Sequence, residues 1–97
     1  MPRSELGDLA AFLVVAEQRS FIRAAAKLGT SQSALSYTVR RLETRLKLQL
    51  LTRSTRAVIP TEAGERLVQT LRPALDDIDS KLAAVSDLRE QPASANS

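Results

Sequence analysis

Gln32, Ser33, Ser36, Tyr37, Arg40 and Arg41 fall within ten residues, and their types suit contact with a duplex nucleic acid. A side-chain amide such as Gln32 matches the paired donor and acceptor that adenine presents in the major groove. The short hydroxyls of Ser33 and Ser36 let a helix end approach base edges, and arginines reach phosphates or guanine. The surrounding charge agrees. From Arg19 to Arg56 there are nine basic residues and one acid, Glu43, a net of +8 in a chain whose total is +3. The flanks are acidic, −2 over Met1–Gln18 and −3 over Ala57–Ser97. Charge this localised calls for a polyanion or an acidic partner. Catalysis has little footing, because the chain has no histidine, no cysteine and no phosphate-cradling glycine loop. Ser31, Ser33 and Ser36 have no base near them in sequence, so no enzyme is expected. Asp76, Asp77 and Asp79 lack the further ligands of a cation loop and read as a solvated face, so neither metal nor cofactor is expected.

The elements that must position these residues are helical. Ninety-seven residues at 43% hydrophobic, with only Phe12, Phe21 and Tyr37 aromatic, provide one modest core of Leu, Ala and Val. Without cysteine, signal peptide or a run approaching a membrane span, the expectation is a soluble cytoplasmic domain with no membrane contact. A first helix runs from about Leu6 to Gln18, with Leu9, Phe12, Leu13 and Ala16 on its buried stripe. Ser20 caps a second helix, Phe21 to Leu28, kept thin by Ala24, Ala25 and Ala26 and stopped at Gly29. Ser31 then caps a third helix reaching about Leu46. Two helices joined by Gly29-Thr30-Ser31-Gln32 have the shape of a helix-turn-helix, and equally of an ordinary helical hairpin.

The third helix separates those readings. At 100° per residue Leu35, Val39, Leu42 and Leu46 form a core stripe. The opposite face carries Ser33, Tyr37, Arg40 and Thr44, flanked by Ser36 and Arg41. A merely solvated face would mix Glu with Lys, and this one holds no acid. Beyond it, Leu48–Arg53 and Ala57–Pro60 read as two short strands about a polar turn, with Pro60 at a strand end. Such a hairpin is a wing, its Arg53 and Arg56 set against the DNA backbone or minor groove. Glu43 offers Arg53 a second role, as half of an internal ion pair.

Thr61 caps a fourth, long helix. Its Leu67, Leu71, Leu75, Ile78, Leu82 and Val85 step by four, four, three, four and three, a heptad-like seam. The seam either packs on its own domain or meets a partner, and a helix reaching Leu88 is about 40 Å long, more than this core covers. Pro73 is expected to bend it. The resulting division is a winged domain over 1–60, a linker helix over 61–90 and a flexible Ser/Ala/Pro-rich tail over 91–97. The fold class is mainly α: a three-helix winged helix-turn-helix core, a β-hairpin wing and a long dimerisation helix.

Taken together, Ser20-Phe21, Ala24-Ala25, Leu28, Ser31-Gln32-Ser33-Ala34-Leu35-Ser36, Leu42-Glu43, Leu46, Leu50-Leu51-Thr52-Arg53, Arg56 and Thr61-Glu62-Ala63-Gly64 resemble the N-terminal domain of LysR-type transcriptional regulators of bacteria. The likeness spans about Leu6 to Leu88. It implies a winged helix-turn-helix that binds double-stranded DNA at an interrupted palindrome as a homodimer, its linker helix antiparallel to its copy. It assigns base reading to Gln32, Ser33, Ser36 and Tyr37, and backbone or minor-groove contact to Arg53 and Arg56. Lys47 departs from a usual glycine, Leu51 from phenylalanine and Pro60 from leucine. Relatives continue into an effector-binding domain, so the expectation is an excised DNA-binding portion whose effector site lies outside this sequence. The alternative function is a winged-helix interaction module for an acidic protein partner.

Overall fold

The computed structural model describes residues 3–54 and 57–95, with side chains for 6–54 and 57–89. Its elements follow as α1 (Arg3–Gln18), α2 (Phe21–Leu28), α3 (Gln32–Leu46), β1 (Leu51–Arg53), β2 (Val58–Pro60) and α4 (Glu62–Ala95). The helix ends are set by local chemistry. Ser20 and Ser31, both extended, accept the amides of Arg23 and Ala34 at 3.1 Å each. Gly29 closes α2 in the left-handed conformation at φ 71°, and the Thr30 amide returns to the Ala25 carbonyl at 3.0 Å. Lys47 closes α3 in the same way at φ 58°, with the Leu48 amide on the Glu43 carbonyl at 3.2 Å. The lysine thus takes the backbone geometry a glycine would take, and the turn into the wing is kept.

Phe12 and Val15 of α1, Ala24 of α2, Val39 and Leu42 of α3, and Leu50 and Leu51 at the wing's base make the most buried layer. The alanines do let α2 cross closely: Ala24 and Ala25 are buried, while Ala26 faces out. Leu46 corrects the expected stripe. It is 38% exposed, because it borders an open hollow with Leu48, Leu50, Ala63 and Leu67 instead of the closed core. The hairpin is antiparallel with Leu51 opposite Pro60, Thr52 opposite Ile59 and Arg53 opposite Val58, so the proline occupies a strand end.

A close approach locks α4 to the wing. Thr61 accepts the Gly64 amide at 3.0 Å, donates its hydroxyl to the Gln49 carbonyl at 2.6 Å, and sends its own amide to the Leu50 carbonyl at 2.9 Å. Gly64 sits so near Leu50 that a methyl group there would strike the Leu50 carbonyl oxygen. Further along, Val68 and Leu71 enter the core, Leu67 and Leu75 pack partly on it, and Arg72 pairs with Glu17 of α1 at 2.9 Å. The seam is therefore divided. Its first half belongs to the domain core, and Ile78, Leu82 and Val85 are exposed at 41%, 59% and 62%. The helix is continuous through Pro73 and carries on to Ala95, past residue 90 where the tail was expected to begin. No helix among the described residues is long and apolar enough to cross a membrane, and none of their acids cluster as a metal site.

Two substitutions at the helix boundaries should move stability in opposite directions. Gly64→Ala forces backbone apart and should cost about 2–3 kcal/mol. Lys47→Gly relieves a left-handed non-glycine residue and should add about 1 kcal/mol, which in a domain of this size raises Tm by about 4–8 °C. Thermal melts followed by circular dichroism check both. A tolerated Gly64→Ala would mean that the approach at Leu50 is not close.

Candidate nucleic-acid interface

α3 presents its polar face between the start of α2 and the wing. One shallow groove of about 430 Å³ is lined by Phe21, Gln32, Ser33, Ser36, Tyr37, Arg40 and Arg53. Six of the expected site residues thus share one surface, five from α3 and Arg53 from β1, with Phe21 of α2 added to them. Gln32 and Ser33 occupy the exposed first turn, Ser36 is half-buried, and Tyr37 is 64% exposed. A second hollow continues the same face along Tyr37, Arg40, Arg41, Thr44 and Arg45. Ser31, counted with these residues as a possible DNA contact, caps α3 as expected, its hydroxyl oxygen accepting the Ala34 amide, and does not line the groove. Arg56 lies outside the described residues.

Adjacent arginines on this face are used differently. Arg40 is exposed and makes no ion pair among the described residues. Arg41, expected to contact DNA, has its guanidinium turned to α1. Its Nε donates to Asp8 Oδ2 at 3.2 Å, and its Nη2 donates to Oδ1 and Oδ2 at 2.8 and 3.0 Å. Those hydrogen bonds, then the carboxylate charge, raise the pKa of Arg41 above its ordinary value. The Tyr37 ring lies 5.6 Å from the same guanidinium. Asp8 is 5% exposed, the buried charged residue of the described core. Sequence reading passed over it, although it sits four residues before Phe12 and seven before Val15, on the buried stripe of α1. An acid on an apolar stripe signals a waiting cation.

Glu43 supports the wing more than it supports Arg53 alone. Its Oε2 accepts the amides of Leu50 and Leu51 at 2.8 and 3.1 Å, and its Oε1 stands 3.7 Å from Arg53 Nη2. The Arg53 guanidinium also lies 5.2 Å from the ring of Phe21, the second residue that sequence reading missed. Both acids nearest the basic face are consequently turned inward. The outward side retains Arg23 and Lys27 of α2 and Arg40 of α3 as exposed cations.

This arrangement has relatives. Residues 6–65 match the family described as bacterial regulatory helix-turn-helix protein, lysR family. Over 92 residues the chain is 62% identical to the HTH-type transcriptional regulator PgrR of Escherichia coli K12, covering 95% of this chain and 31% of that one. It is 48% identical over 92 residues to a putative transcriptional regulator of Pseudomonas aeruginosa, of which it covers 30%. The chain therefore spans under a third of the length of these curated relatives. Among solved structures, a complex of the BenM DNA-binding domain with catB site 1 DNA superposes with a TM-score of 0.78 at 34% identity, covering 84% of this chain and 91% of that one. An OxyR C206S mutant of Corynebacterium glutamicum, H2O2-bound, gives 0.79 at 42% identity, covering 88% and 26%.

The Glu43 contacts set an order of effects. Glu43→Ala strands two backbone amides and an arginine and should cost about 2–4 kcal/mol, whereas Arg53→Ala leaves the carboxylate with both amides and should cost about 1 kcal/mol. A double-variant cycle by chemical denaturation measures the pair. Costs in the reverse order would show that the arginine, and not the backbone, is what Glu43 serves.

Proposed function

The chain belongs to the LysR family of bacterial helix-turn-helix regulators, and on that premise we propose that it binds double-stranded DNA sequence-specifically, as a dimer, in the service of transcription regulation. The observation that carries this reading is the shared groove of α3, α2 and the wing, rimmed by cations with its neighbouring acids turned inward. α3 enters the major groove. Gln32, Ser33, Ser36 and Tyr37 read base edges, Arg40 holds a phosphate, and Arg53, with Arg56, meets the backbone or minor groove. The BenM DNA-binding domain, solved on DNA, supports the docking by its likeness.

Dimerisation is the second part of the proposal. Ile78, Leu82 and Val85 project from one stripe of α4 without cover from their own domain. A copy of the same helix, packed antiparallel, buries them and places two reading heads on an interrupted palindrome. Leu67 and Leu75, half-buried already, extend that contact, whereas Leu71 is spent in the domain core.

Selection of bound sequences from a random duplex pool tests base reading. Gln32→Ala and Ser36→Ala should each cost about 1–3 kcal/mol of discrimination and leave binding to random DNA nearly unchanged. Identical selected sequences at parental stringency would remove both from the reading set. Sedimentation tests the dimer: burying one leucine contributes about 1.5–3 kcal/mol, so Leu82→Lys should shift the chain strongly to monomer and lower affinity for the full site. A parent that sediments as a monomer at high concentration would overturn the second part.

A further inference from the structure

Arg41 and Arg40 are neighbours in sequence with opposite fates, and the difference originates on another helix. Asp8 lies in α1, 33 residues from Arg41, is 5% exposed, and lines neither hollow of the reading face. Its two oxygens take Nε and Nη2 of Arg41 at 2.8–3.2 Å, a fork that fixes both the position and the plane of the guanidinium. That plane has the ring of Tyr37 beside it at 5.6 Å, one helical turn earlier on α3. Tyr37 is 64% exposed.

We propose that Asp8 is a specificity-positioning residue: through Arg41 it braces Tyr37 on the reading face and withholds the Arg41 charge from the DNA backbone. The proposal rests on the DNA-reading role of α3. An arginine stem is long enough to swing several ångströms, so an untethered Arg41 would find a phosphate on any sequence. Tethered, it contributes geometry and no sequence-independent affinity. Asp8 therefore exchanges a contact that every duplex offers for one ordered side chain that only some base pairs satisfy.

The test compares the parent chain with Asp8→Asn, Arg41→Leu and the double variant, each titrated with a selected duplex at several salt concentrations and each put through selection from a random pool. In Asp8→Asn the freed arginine neutralises one more phosphate, so log K should fall with log salt more steeply by about 0.9 per bound domain, and the selected sequences should become more degenerate. Arg41→Leu should lose the same stringency yet keep the parental salt slope. The double variant should return to the slope of Arg41→Leu. A structural role alone would lower the melting temperature without steepening the slope. If Arg41→Leu flattens the slope by about 0.9 per domain, Arg41 already holds a phosphate and the proposal is overturned. It is equally overturned if Asp8→Asn keeps the parental slope and stringency. Should Asp8→Asn melt below the assay temperature, Arg41→Leu alone decides: a parental slope with reduced stringency supports the proposal, and a shallower slope sinks it. A parent that binds no duplex in the selection removes the DNA-reading role itself, whereas a binding parent with a shallower Arg41→Leu removes only the role of Asp8.

Discussion

One carboxylate ties α3 to the wing. Glu43 leaves α3 one turn before its end and takes the amides of Leu50 and Leu51 as the chain turns into β1. Backbone amides at a strand entrance need partners, and an ionised acceptor is among the strongest available. Leu50 and Leu51 are almost wholly buried, so the tether also seats two core side chains. Thr61 and Gly64 then clasp the other side of the same segment, against the carbonyls of Gln49 and Leu50. α3, wing and α4 therefore meet at three consecutive residues, 49–51. The groove depends on that junction, because Arg53 follows directly from it and reaches the ring of Phe21.

Signals confined to a few residues were legible in the chain. Caps at Ser20 and Ser31, the stop at Gly29, the hairpin with its terminal proline and the polar face of α3 all appear where spacing and residue type put them. Each depends on contacts within one turn or one hairpin, and such contacts are written in the local sequence. Leu46 illustrates the limit. Periodicity places it on the core stripe, but whether core remains at that end of the helix depends on how other helices are arranged.

Partners distant in sequence were the harder part. Arg41 reads as one more cation on a basic helix until α1 is packed beside it, and only then does Asp8 claim it. Glu43 reads in the sequence as an acid in need of a cation, yet its nearest partners are amides, which no residue type announces. The long helix was legible as a seam but not in its division, because nothing in a heptad pattern says where a domain's own core stops. In all three cases the missing term was tertiary. Local pattern supplies faces, and packing decides what each face meets.

From the last grip of the domain at Leu75, α4 continues to Ala95. At 1.5 Å per residue that span is about 30 Å of cantilever. A helix resists bending far better than a hinge of side chains resists tilting, so small rotations at its root arrive magnified at its tip. A tilt of about 6° at Leu75 sweeps the far end through about 3 Å, close to the 3.4 Å rise of one base pair. The Arg72–Glu17 pair, bracing the root against α1, consequently works with mechanical disadvantage: each tenth of an ångström of play there is multiplied along the beam. Stiffness at that joint is a dimensional tolerance for whatever the helix carries.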